Sequence, residues 1–372
     1  MLKVRSRNRK PDFEEFRKVI RGEKEAKRVH FVELFADTEV MNSVTEVLGE
    51  KSVSFSFLSF LTSGSLETKK DFFKQWISWW HRMGYDYATI MGSVISGLDF
   101  LTKTRKTKDT ALLSRKNRTW VEEGKGIINS WKDFEEYPWP NPDKTDYSFY
   151  EFIAENLPEG MKMMICPCSG VFEISSESLL GFEGLSYLLY DNPDLVEAVF
   201  NKVGKIIYDF YKNIVGLDKV GGFFQGDDMG FKTSTIVSPK ILRKLVLPWH
   251  KKFAALAHQH NKMYWLHSCG NVLALMEDFI EDVKIDAFHS FQDTIIPVGK
   301  FKKRYGDRIT TLGGVDVDKL CGLDEKSLRK YVRGILDQCM PYRYALGSGS
   351  SIANYVPVKN YLIMLEEGLR WK

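Results

Sequence analysis

Two hydrophobic periods alternate along this chain. Short apolar runs that stop at Gly, Asn, Ser or Asp mark buried strands, and stretches with apolar residues every third or fourth position mark helices. The clearest strand is Met263-Tyr264-Trp265-Leu266, which runs into His267-Ser268-Cys269 and turns at Gly270-Asn271. Seven further runs read as strands: 28–34, 85–90, 161–166, 221–226, 285–290, 308–314 and 342–347. Between them the spacing predicts helices over 72–83, 148–156, 238–261, 273–281, 298–305, 325–338 and 359–367. Residues 174–217 read as helices broken at Gly181 and at Asp191-Asn192-Pro193. Before the first strand, Phe13, Phe16 and Ile20 recur at helical spacing with acids in the first turn, an amphipathic helix that covers one end of the domain.

Eight strands alternating with helices predict an α/β fold of the (β/α)8 TIM barrel type. The expected division is an N-terminal helical extension over 1–27 and one barrel domain over 28–372, with an insertion at 102–160. A doubly wound open sheet is the alternative. No Gly-x-Gly-x-x-Gly opens a helix after a strand, and no phosphate loop occurs, which favours the barrel.

Composition narrows the function classes. With 44% hydrophobic and 27% charged residues, the 372-residue chain has an ordinary globular make-up. A net charge of +4 is too mild to argue for nucleic acid. The basic start Met1-Leu2-Lys3-Val4-Arg5-Ser6-Arg7 has no apolar stretch behind it, and no run of 18 apolar residues occurs. The expectation is therefore neither a signal peptide nor a membrane span, and a cytoplasmic location. Cys166, Cys168, Cys269, Cys321 and Cys339 form an odd, scattered set, as expected of thiols kept reduced. Segment 102–119 carries Lys103, Arg105, Lys106, Lys108, Arg115, Lys116 and Arg118 against the single acid Asp109. It reads as a solvated loop, with an anion clamp as the sharper alternative.

On a strand, residues two apart share a face, so His267 and Cys269 project together. Imidazole with thiolate suits zinc, although a buried His beside a buried Cys is also ordinary core chemistry. Barrel enzymes carry their chemistry at the C-terminal ends of the strands. The residues expected there are Cys166, Cys168 and Glu173, then Asp227 and Asp228, then His267 and Cys269. His289 and Ser290 follow, then Gly314 and Asp316, then Ser348, Ser350 and Ser351. His289 and Asp86 are candidates for proton transfer, each of a type that is more commonly a satisfied buried polar group.

Several stretches resemble the uroporphyrinogen decarboxylase superfamily, and within it the cobalamin-dependent methyltransferase branch. They are Gly226-Asp227-Asp228-Met229-Gly230, Leu266-His267-Ser268-Cys269-Gly270-Asn271, Leu312-Gly313-Gly314-Val315-Asp316 and the ending that starts at Gly347-Ser348-Gly349-Ser350-Ser351. The resemblance covers roughly 11–370, is plainest from Gly181 onward, and implies a (β/α)8 fold. The decarboxylases need no cofactor and hold an anionic tetrapyrrole with an N-terminal Arg-containing signature. Here the first strand ends in Glu33-Leu34-Phe35-Ala36-Asp37 instead. The methyltransferases bind zinc through His-x-Cys and a later Cys, and the zinc activates a thiol that takes a methyl group from a corrinoid. His267 and Cys269 match the first two ligands, while the later Cys falls at Ser350, a poor zinc ligand. The candidate replacements are Asp228, Glu173, His289 and Cys321, of which Asp228 leads because its strand neighbours that of His267. A closed site of Cys166, Cys168, His267 and Cys269 is a further alternative.

The resemblance implies zinc-dependent methyl transfer between a small-molecule methyl donor or thiol acceptor and a corrinoid on a separate protein. Asp227 or Asp228 would complete or orient the metal site, and Ser290, Gly314, Asp316, Ser350 and Ser351 would contact substrate. A decarboxylase of a carboxylate-rich tetrapyrrole is the alternative, as is a binding protein of the same fold without the chemistry.

Overall fold

A computed structural model of the chain describes residues 9–49, 65–122, 124 and 126–371. The basic stretch 1–7, and with it the start of the predicted extension, lies outside the described residues. The core is a parallel sheet of seven strands: β1 (Tyr87–Met91), β4 (Lys162–Cys166), β5 (Val220–Gly226), β6 (Met263–His267), β7 (Ala287–His289), β8 (Thr310–Leu312) and β9 (Tyr344–Ala345). They neighbour one another in that order, each joined to the next through helical connections that cover the outside. The strands of the middle of the sheet are buried along their whole length, as strands packed on both faces must be.

The first predicted strand closes the circle without forming a regular ladder. Phe31 pairs with Leu346, where the Val32 amide donates to the Leu346 carbonyl at 2.9 Å and the Leu346 amide to that of His30 at 2.8 Å. On the side facing β1, side chains take over the pairing. The Tyr87 hydroxyl donates to the Glu33 carbonyl at 2.8 Å and accepts the Glu33 amide at 3.0 Å, and Thr89 Oγ1 donates to the same carbonyl at 3.3 Å. The result is a (β/α)8 barrel-like α/β fold with every backbone group of Glu33 bonded.

The barrel interior is filled with aromatic rings. Trp265 packs edge-on against Phe224 at 5.3 Å and Tyr87 at 5.4 Å. Phe16, from the helix Phe13–Ile20, reaches Trp265 at 5.6 Å and stacks on His30 at 4.7 Å. That helix therefore plugs the N-terminal end of the barrel and leaves the C-terminal end as the mouth.

Local departures from the predicted elements have physical causes. Segment 102–119 is not a loop: β2 (Thr104–Lys108) and β3 (Asn117–Val121) form an antiparallel hairpin. The predicted helix 238–261 is two, Pro239–Leu245 and Leu247–Gln259, because Pro248 lacks the amide that would continue the first. Two further helices are present: Thr38–Val47, which buries Val40, Met41 and Val44 on one face, and the short Val317–Gly322. Over 273–281 there is a 3-10 turn, Leu273–Leu275, and then a π-helical turn, Asp278–Val283. Among the described residues no helix is long and apolar enough to cross a membrane.

Candidate metal centre

β5 and β6 run in register with Gly226 opposite His267, so the residues that leave the two strands emerge side by side. The Asp227 amide donates to the His267 carbonyl at 2.9 Å, which continues the pairing one residue beyond β5. The next side chain, Asp228, then faces the mouth. Its Oδ1 accepts the Cys269 amide at 2.7 Å and lies 3.4 Å from His267 Nε2. Cys269 Sγ lies 3.3 Å from the same Nε2. The ligand atoms of Asp228, His267 and Cys269 all fall within 4.8 Å of one another. Imidazole nitrogen, thiolate and carboxylate are zinc donors, and three of them facing a cavity leave a fourth position open, as catalytic zinc sites do.

The cavity is a cleft of about 690 Å3 at the mouth of the barrel. Its wall includes the three donors, Cys166, Cys168, Glu173, Ser350 and Ser351, and from the hairpin Arg118 and Trp120. The Asp228 side chain is 35% exposed to it, against 7% for His267. A mostly buried imidazole beside a reachable carboxylate fits one ligand held rigidly and one open to exchange.

Burial alone would lower the pKa of His267, but Cys269 and the Asp228 carboxylate beside it outweigh that and hold the imidazole well above its usual range. Burial would raise Asp228, and its bonds to His267 and to the Cys269 amide instead keep it below the usual carboxylate range. Glu173 is pushed well above that range by burial, then by Asp228 and Asp227. Burial lifts the Cys166 thiol to about 12 and raises that of Cys168 well above its usual value, so both are neutral walls of the cleft.

The other predicted site residues divide into those that reach the cleft and those that do not. Ser290 Oγ and Ser350 Oγ stand 3.8 and 3.9 Å from Cys269 Sγ. His289 sits behind His267 in the register, with its Nδ1 at 2.6 Å from His267 Nδ1. It is fully buried, and burial followed by the neighbouring His267 pushes its pKa well below the usual value. It is placed to orient His267, without access to a substrate. Asp227 is spent on structure: its oxygens accept the Phe172 and Glu173 amides at 3.0 Å each and lie 2.8 Å from His250 Nε2. Its carboxylate packs on Gly170, where a Cβ would fall 2.0 Å from it.

Gly314 is a turn residue with φ +103°, where a Cβ would meet Val298. Asp316 caps the helix Val317–Gly322 and accepts the Asp293 amide at 2.7 Å. Together with Cys321 it lines a neighbouring cavity of about 370 Å3 that shares Ser350 with the cleft.

Asp86 stands at the far end of the barrel, immediately before β1, away from the cleft, and this corrects its reading as a proton-transfer residue. It accepts from the Asp12 amide at 2.8 Å and from Arg28 at 2.7 Å, and it pairs with His30 Nδ1 at 2.6 Å. It staples the plugging helix to the first strand. Trp120 was the cleft residue with the weakest sequence signal. A tryptophan just past a basic run has no periodicity of its own; the hairpin, which pairs Arg118 with Thr107 and Trp120 with Arg105, brings Arg118 and Trp120 together to the cleft wall.

The comparisons with known proteins bear on the family and the fold. The family model described as uroporphyrinogen decarboxylase (URO-D) matches residues 126–370. A search of curated proteins returned no match. In three dimensions the chain is similar to a methyltransferase from Methanosarcina mazei, with 15% identity, 95% of this chain and 97% of that chain covered, and a TM-score of 0.70. It is also similar to a B12-independent methionine synthase from a Shewanella species, with 11% identity, 83% and 89% covered, and a TM-score of 0.51. At such identities the two structures speak for the fold alone. The family match spans well over half of the chain, including both β5 and β6 and the residues that leave them, so this chain belongs to the URO-D family.

Proposed function

We propose that the protein is a zinc-dependent methyltransferase that moves a methyl group between a corrinoid carried on a partner protein and a small-molecule thiol. The observation that carries this reading is the convergence of Asp228, His267 and Cys269 on one point of the cleft wall. Zinc held there would lower the pKa of a thiol in the open position, making it a thiolate at neutral pH. His267 and Cys269 supply the nitrogen and sulfur donors. Asp228 takes the place that Ser350 leaves weak, since a carboxylate is a far better zinc ligand than an un-ionised hydroxyl. The Cys269 amide fixes the Asp228 carboxylate, so its free oxygen is presented without a search through rotamers. Apolar wall residues such as Leu34, Leu98 and Phe100 limit water around the thiol.

Metal analysis of protein purified without chelator should find about one zinc per chain, lost in His267→Ala and in Cys269→Ser. Incubation of the zinc-loaded protein with methylcobalamin and a simple thiol should change the corrinoid absorption spectrum, and that change should vanish with the same substitutions. Zinc retained in the His267→Ala, Cys269→Ser double variant would refute the proposal. One observation favours a second reading, a decarboxylase of a carboxylate-rich substrate. Arg118, stacked on the Trp120 ring at 4.1 Å, brings a guanidinium into the cleft wall. Decarboxylation of a tetrapyrrole carboxylate that survives chelator treatment, and fails in Arg118→Ala, would move that reading ahead.

A further inference from the structure

Glu33 is fully buried on the segment that closes the barrel, far along the chain from every residue of the metal centre. Its two oxygens hold both polar groups of one residue: Oε1 accepts the Ser348 amide at 2.7 Å, and Oε2 is hydrogen-bonded to the Ser348 hydroxyl at 2.5 Å. With its amide and hydroxyl fixed, Ser348 has one free group, the carbonyl. That carbonyl accepts from the Gly314 amide at 3.2 Å and lies 3.1 Å from His289 Nε2. The second contact requires room at Gly313, which has φ +78°. A Cβ there would sit 2.2 Å from the Ser348 oxygen and 2.9 Å from His289 Nε2.

Hydrogen-bond polarity now runs through the chain of contacts without a choice. A carbonyl oxygen has no hydrogen to give, so His289 Nε2 carries the proton. A neutral imidazole protonated at Nε2 offers a lone pair at Nδ1. The 2.6 Å contact between His289 Nδ1 and His267 Nδ1 therefore has His267 as donor. With its proton on Nδ1, His267 turns the Nε2 lone pair toward Asp228 and Cys269, the only tautomer that can hold a metal there. His267 donates to His289 in the same direction whether His267 is neutral or carries a second proton.

We propose that Glu33 is a positioning residue for the metal centre: by anchoring Ser348, it fixes the tautomer of His289 and through it the donor nitrogen of His267. The role at the metal rests on the zinc reading above, whereas the tautomer does not. Nitrogen-15 NMR of the metal-free protein labelled in histidine should show His289 protonated at Nε2. In Glu33→Ala the Ser348 carbonyl is released, so the His289 signal should shift toward a mixture of tautomers, and zinc affinity should fall about ten- to a hundredfold. Glu33→Gln keeps the volume and an oxygen for the Ser348 amide, and its NH2 can donate to a reoriented hydroxyl. It should retain the native His289 tautomer even if Glu33→Ala fails to fold. A native His289 protonated at Nδ1 overturns the proposal, as does Glu33→Ala with native tautomer and native zinc affinity. If the protein binds no zinc but the tautomer is as described and shifts in Glu33→Ala, the relay stands and the zinc reading falls.

Discussion

Asp227 and Asp228 are adjacent and chemically identical, yet only one faces the cleft. On leaving a strand, successive side chains still alternate, so Asp227 points back into the wall and Asp228 into the mouth. A sequence reading delivers the pair to the right end of the barrel, but the choice between them depends on who bonds Asp227, and its partners Phe172, Glu173 and His250 lie on two other segments. Two outcomes follow at this scale. Asp227→Ala leaves two buried amides without an acceptor and should cost about 2–4 kcal/mol in urea unfolding, while zinc affinity per folded molecule stays native. Asp228→Asn should weaken zinc at least about tenfold, or about 1.4 kcal/mol, in a competition titration against a chelator. Ser350 lies 3.9 Å from the Cys269 sulfur, close enough for a larger thiol to reach the same ion. Ser350→Cys should therefore change little while Asp228 is present and should recover affinity in the Asp228→Asn background. No recovery there would mean that residue 350 lies outside the ligand sphere.

Among the elements, those with buried apolar runs were legible and those without were not. Every residue of β6 is buried, so its sequence shows the strand directly. Every residue of β2 is exposed, and Thr-Arg-Lys-Thr-Lys offers no apolar face; that hairpin is held by cross-strand pairing, such as Trp120 Nε1 donating to Thr107 Oγ1 at 2.8 Å. Tyr85 and Tyr87 are both buried aromatics, which extends the predicted strand over Asp86, a residue that precedes it. The helix Phe13–Ile20 was visible from its spacing, but its function as the plug of the barrel was not, since that depends on Phe16 reaching Trp265 and His30. Phe16→Ala should open a cavity under the aromatic layer and cost about 3–5 kcal/mol by denaturant unfolding. The site lies at the opposite end, so zinc affinity of the folded fraction should stay within about twofold of native, as additivity for distant sites requires.

At the scale of the whole molecule, the closure of the barrel and the centre at its mouth meet in one buried carboxyl group. Burial raises Glu33 from an ordinary 4.5 to about 8, even though its two bonds to Ser348 work in the other direction. In the unfolded chain the same group loses its proton near the ordinary value. The native state therefore holds one more proton than the unfolded state between about pH 4.5 and 8. The Glu33 contribution to stability must fall with rising pH across that window, at a limiting slope of about 1.4 kcal/mol per pH unit, and level off above it. The contribution is fully present below about 4.5 and gone once the folded group has ionised near 8. Glu173 is also raised by burial and adds a slope of the same sign, so the parent protein alone cannot isolate Glu33. The difference between parent and Glu33→Gln can, because glutamine fills the same space and does not titrate. Urea unfolding of both proteins at a series of pH values should show the parent losing ground to the variant as pH rises toward 8, by an amount on the order of a few kcal/mol, after which the two curves run parallel. Curves that stay parallel from pH 5 to 8 would mean that Glu33 is already ionised in the folded barrel.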